Sequence, residues 1–145
     1  MKKFLLVLIV GLLGIGVYAK FQNSNDTVVY AKVSHKVAAK RKVLNKKAQA
    51  KYKELTTGDD SYSLASKVKL EYRAKTAKIN GINLWCDESL ANADSTELRH
   101  YFSLAGQIGS AAKGGYELPF VKVYAGDVIV TRSTLENTNK SVDTK

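Results

Sequence analysis

A single cysteine, Cys86, stands in the run Trp85-Cys86-Asp87-Glu88-Ser89, and the two histidines, His35 and His100, lie far apart in the chain. A thiol does nucleophilic or redox work as its thiolate, and the neighbouring carboxylates of Asp87 and Glu88 oppose its ionisation. Glu97-Leu98-Arg99-His100 has the Glu-x-x-His spacing of carboxylate-bridged di-iron helices, but that site needs a second copy and two further glutamates. Asp87, Glu88, Asn92, Asp94 and Glu97 form an acidic stretch without the spacing of a calcium loop. Gly106-x-x-Gly109 is not followed by Gly-Lys-Ser/Thr, so no phosphate cradle is written here, and no Gly-x-Ser-x-Gly elbow occurs. These residues point to a non-enzymatic chain with no metal and no cofactor.

The charge pattern is more informative. The chain has 145 residues and a formal charge of +10, enough for one small domain. Residues 32–53 carry nine Lys or Arg and no acid, whereas residues 79–145 carry six bases and eight acids. Like charges at helical spacing repel by a few tenths of a kcal/mol per pair, roughly, and an anionic partner relieves that repulsion. Lys36, Lys40, Arg41, Lys42, Lys46, Lys47, Lys51 and Lys53 are therefore the candidate binding residues. Lys67, Lys69, Arg73 and Lys75 extend the surface if they fall on the same side. The expected partner is an anionic envelope component, lipid or polymer, or an acidic protein surface, with peripheral membrane contact as one form of it. Nucleic acid is disfavoured, because only Tyr30 and Tyr52 interleave with these bases.

The elements that must position these groups follow from the pattern. Met1-Lys2-Lys3, an uncharged run from Phe4 to Val17 and Val17-Tyr18-Ala19 before Lys20 read as a signal peptide over residues 1–19. A retained anchor is the alternative, although the run is shorter than the roughly 20 residues that span a bilayer. The expected location is extracytoplasmic, periplasmic or secreted. Residues 20–29 read as a linker and 30–55 as a long basic helix, with Tyr30, Val33, Val37, Leu44, Ala48 and Leu55 in one stripe. Val68, Leu70, Tyr72 and Ala74 alternate with bases as a half-buried strand, and Asn80-Gly81 predicts the turn of a hairpin pairing residues 67–79 with 82–86. Asp94-Ser95-Thr96-Glu97 is a capping box opening a helix over 95–113, closed by Gly114-Gly115. Residues 118–124 and 128–132 form a second hairpin, and 134–145 a disordered tail. The fold class expected is α+β. A long basic helix precedes hairpin, helix and hairpin, which form one small antiparallel sheet within a single domain over 30–133.

Trp85-Cys86-Asp87-Glu88-Ser89 after a strand, with Leu118-Pro119-Phe120 opening a later strand pair, resembles a single-thiol version of the thioredoxin family's Trp-Cys-x-x-Cys motif. The resemblance implies Cys86 as nucleophile, Ser89 in place of the resolving thiol, and Pro119 as the substrate-facing proline. A redox protein of that kind is the alternative function. A structural subunit of an envelope assembly, linked through Cys86, is another.

Overall fold

The structure, a computed structural model, describes residues 18–22, 28–58, 60–115 and 118–144, with side chains from residue 33 onward. Two strands, β1 (Tyr18–Gln22) and β2 (Val28–Lys32), pair antiparallel as a separate ribbon. Of the expected linker over 20–29, residues 20–22 and 28–29 are strand and 23–27 lie outside the described residues, as does the expected signal peptide except for Tyr18 and Ala19 in β1. Helix α1 (His35–Thr56) starts five residues later than the stripe suggests. Val28, Val29 and Tyr30 prefer extended backbone, and Ser34 supplies a strong start signal: its Oγ accepts from Val37 N at 3.4 Å. Gly58, at φ +80°, turns the chain away beyond the helix.

The main sheet has the order β3 (Ala65–Tyr72), β4 (Ile79–Cys86), β5 (Phe120–Ala125), β6 (Val128–Ser133), β7 (Ser141–Asp143). Helix α2 (Ser95–Lys113) connects β4 to β5, and these two strands run parallel. A helical crossover returns the chain to the same end of the sheet, so the sheet is mixed rather than antiparallel. Two antiparallel hairpins are present, β5 with β6 close to its expected bounds and β3 with β4 in a different register from the expected pairing of 67–79 with 82–86. Their boundaries differ in one instructive place. Asn80-Gly81 lies inside β4, and the turn is residues 73–78, with Lys75 in the left-handed region at φ +57°. Gly81 is needed for closeness: an added Cβ would sit 2.9 Å from both Glu71 Oε2 and the Phe120 carbonyl oxygen.

Both helices contribute to the cover over one face of the sheet. Val68, Leu70, Ile82, Leu84, Val121 and Val123 pack with Leu98, Tyr101, Leu104 and Ile108 of α2 and with Ala48 of α1 in a single core. The other face carries Lys67, Lys69, Trp85, Lys122 and Tyr124, as the two-residue strand period requires. Asp94 caps α2 by accepting from Thr96 N and Glu97 N at 2.8 Å, and Gly114 closes it at φ +76°. This helix begins and ends where its sequence signals place it.

Two small residues let α2 approach the chain that leads into β5. Leu118 packs over Gly106, and a Cβ at Gly109 would fall 2.5 Å from Pro119 Cγ. Gly109→Ala gains up to about 1 kcal/mol of helix propensity yet overpacks this contact, for an expected net loss of about 1–2 kcal/mol by urea denaturation. Gly115→Ala, where an added Cβ meets nothing within 4 Å, is the near-neutral control.

The tail is partly ordered into the sheet. β7 pairs with β6 in register Arg132 with Val142, and Asp143 Oδ2 accepts from Ser95 Oγ at 2.6 Å. Ser133 Oγ, fully buried, donates to the Thr138 carbonyl at 2.9 Å. Sequence patterning misses this strand because only Val142 in it is apolar. Among the described residues no helix is long and apolar enough to cross a membrane.

Candidate functional site

The eight basic residues proposed on α1 separate into an inner group of one and an outer group of seven. Arg41 is 9% exposed. Its Nε donates to the Thr76 carbonyl at 2.7 Å and its Nη2 to the Arg73 carbonyl at 3.3 Å. The guanidinium also lies 4.8 Å from the centroid of the Tyr72 ring. Arg41 thus fastens the β3–β4 turn to the helix and is withdrawn from the anion-binding set. The sequence groups it with its lysine neighbours, but its planar fork reaches two carbonyls at once, as an ammonium does not.

The same inner side continues as a cover for the open edge of β3. Gln49 Nε2 donates to the Val68 carbonyl at 3.1 Å, and Tyr52 Oη to the Ala65 carbonyl at 2.9 Å. Tyr72 Oη, in turn, donates to Asn45 Oδ1 at 2.8 Å. Burial pushes the Tyr72 phenol up to about 12, against a smaller downward pull from Arg41. With Ala48 in the core, this face of the helix is fully committed to the fold.

Leu44 and Leu55 also pack against the core, and the lysines of α1 are directed outward by the helical period. Lys42, Lys46 and Lys53, spaced four and seven residues apart, share one flank, and Lys36, Lys40, Lys47 and Lys51 share the other. Between the flanks run Ala39, Val43 and Ala50, all exposed, with Val43 at 56%. The helix bears one acid, Glu54, whose carboxylate accepts from Lys51 Nζ at 2.5 Å. The outer side is a cationic surface with a narrow apolar ridge.

The bases of β3 do not join it. Val68 and Leu70 face the helices, so Lys67 and Lys69 project from the opposite face of the sheet. There Lys67 Nζ sits 5.0 Å from the Trp85 ring, which stacks on Tyr124 at 5.0 Å between centroids. Glu71 accepts from Asn83 Nδ2 at 2.8 Å and pairs with Lys122 at 3.1 Å, so this face already holds an anion among its cations. The composite helix-and-strand surface expected from sequence is split between two sides of the molecule. The turn bases behave differently: residues 73–78 lie against α1, and Lys75 and Lys78 line one groove with Lys40. Sequence reasoning missed Lys78 because Ala74-Lys75-Thr76-Ala77-Lys78 contains none of the usual turn residues, while Asn80-Gly81 attracts the turn assignment.

Cys86 is 4% exposed and part of the core. Burial raises its thiol from the ordinary 9.0 to about 12, so it is almost wholly protonated at neutral pH. Pro119 is buried against Gly109. In the parallel pair Cys86 lies opposite Ala125 and Gly81 opposite Phe120, which puts Cys86 and Pro119 at opposite ends of the strands, roughly 20 Å apart at 3.3 Å per residue. The geometry separates the two groups that the thioredoxin resemblance brings together. Hydrogen bonds from the Ser89 side chain and from Ser89 N, the latter at 2.9 Å to Asp87 Oδ1, lower the Asp87 carboxyl below its ordinary value, and Asp87 caps a short turn. His100 stacks on Tyr62 at 4.3 Å. Among the described residues no three His, Cys, Asp or Glu side chains converge on a metal position.

No protein-family model matches this chain, and no curated protein or solved structure matches it either.

Proposed function

We propose that this chain is a non-enzymatic binding or accessory protein, working outside the cytoplasm, that docks on an anionic lipid surface of the cell envelope through the outer side of α1. One observation carries the reading. The inner side of the helix is occupied by the core and by the β3 edge, while six exposed lysines, the half-buried Lys51 paired with Glu54, and the exposed Val43 ridge remain outside. An apolar ridge between cationic flanks is the surface of a helix that lies in the headgroup plane. Each lysine near such a surface contributes about 1 kcal/mol.

The test is sedimentation with phosphatidylglycerol-containing vesicles across a salt series, with pure phosphatidylcholine vesicles alongside. Binding is expected to the anionic vesicles only and to weaken steeply with salt. Lys42→Glu, Lys46→Glu and Lys53→Glu together should cost at least about tenfold in affinity, with an unchanged urea midpoint. Equal binding to both vesicle types, or a charge-reversed chain that binds as before, overturns the proposal. Retention by a soluble polyanion and not by vesicles reassigns the surface to an envelope polymer.

A further inference from the structure

Alongside the N-terminal half of α1, the turn of residues 73–78 closes a groove of about 650 Å³, within the size range of sites that hold a single small ligand. Val37, Ala39, Val43 and Leu44 of the helix and Ala77 of the turn are its apolar lining. Three lysines are among its lining residues, Lys40 from the helix and Lys75 and Lys78 from the turn, and among the described residues no carboxylate lines it. All three lysines are exposed, so they are hydrated when the groove is empty.

The walls are set by strong local contacts. Arg41 holds the Thr76 and Arg73 carbonyls, Arg73 N donates to the Lys78 carbonyl at 2.9 Å, and Thr76 N to the Arg73 carbonyl at 3.1 Å. Lys78 N donates to Thr76 Oγ1 at 3.2 Å. The turn is therefore held in place before any ligand arrives, which lowers the ordering cost of binding.

We infer that this groove takes one single-chain anionic amphiphile, with its hydrocarbon on Val37, Val43, Leu44 and Ala77 and its acidic head among Lys40, Lys75 and Lys78. A lining that is part apolar and part cationic matches the two ends of such a molecule, and it rejects the separate parts. A short anion gains only exposed ion pairs, each worth little, and a cationic amphiphile meets three like charges. Val43 borders both the groove and the outer ridge of α1, so the inference rests on the lipid-surface reading and gives that surface a specific ligand.

The experiment uses the full chain with dodecanoate below its micellar range, with acetate and dodecyltrimethylammonium as the separated chemistries. Titration is followed by calorimetry and by methyl NMR shifts. The expected result is saturable one-to-one binding of dodecanoate, shifts centred on Val37, Val43, Leu44 and Ala77, and no saturable binding of the other two probes. Lys75→Gln with Lys78→Glu should weaken dodecanoate by roughly tenfold with an unchanged urea midpoint. Lys42→Glu/Lys46→Glu/Lys53→Glu, on the far flank, should leave dodecanoate affinity within about twofold while reducing vesicle binding. Equal affinity for the cationic amphiphile, shifts centred elsewhere, or an unaffected turn variant overturns the groove assignment. A chain that holds vesicles and not dodecanoate loses the groove alone, and one that holds dodecanoate and not vesicles loses the docking surface alone.

Discussion

Arg41→Ala is expected to lower stability by about 2–4 kcal/mol, far more than the few tenths expected for Lys42→Ala one residue away. The guanidinium donates to two carbonyls of the β3–β4 turn and lies against the Tyr72 ring. Its removal leaves both acceptors to a partly buried site and frees the turn from the helix. Hydrogen bonds from a charged donor contribute roughly 1.5–3 kcal/mol each, and some of that is regained by hydration of carbonyls near the surface. Arg41→Lys should recover less than half, because a single ammonium cannot match the forked geometry. Urea midpoints of the three variants decide the matter. Equal midpoints for Arg41→Ala and Lys42→Ala would return Arg41 to the surface set.

A second large effect is expected in alkali. Cys86 ionises near 9.0 when exposed and near 12 in the fold, because burial disfavours the thiolate. Above pH 9 the unfolded chain releases this proton and the folded chain retains it, so stability falls with rising pH until the folded group also ionises near pH 12. Three pH units of this difference correspond to about 4 kcal/mol as an order of magnitude. Tyr72, raised by burial from 10.0 to about 12, adds a later contribution of the same sign. Urea midpoints from pH 8 to 11.5, about the span of these transitions, should therefore drop steeply for the native chain. Cys86→Ala starts lower, since it leaves a small cavity, but its curve should be flatter from pH 9 upward. Parallel curves would show that the thiol is more open to solvent than its 4% exposure indicates.

The parts of this architecture that were legible in the sequence are those specified by local chemistry. Asp94 and Gly114 mark both ends of α2, and Val68 with Leu70 declare the inner face of β3. Ala125-Gly126-Asp127 marks the second hairpin, where Gly126 takes φ +58°. The misread parts depend on contacts distant in the chain. Gly81 is small because Glu71 and the Phe120 carbonyl press on it, not because the chain turns there. The parallel pairing of β4 with β5 follows from where α2 returns the chain, which periodicity does not encode. The lysine-rich side of α1 was visible as composition, yet the removal of Arg41 from it and the arrival of Lys75 and Lys78 in one groove with Lys40 both depend on the turn. Whether Lys67 and Lys69 share a side with the lysines of α1 was left open by the sequence for a related reason. Alternation shows that they oppose Val68 and Leu70, but not which face the helices cover.

The way α1 lies along β3 has a consequence for solubility. Gln49 and Tyr52 occupy carbonyls of an eight-residue border strand that would otherwise template the addition of another chain. At the opposite border β7 is only three residues long, too short to seed such growth. A ligand that meets α1 from outside leaves this guard in position. Solution conditions that pry the helix loose would instead uncover a sticky rim, so fibril formation should accompany detachment of α1 well before the sheet itself melts.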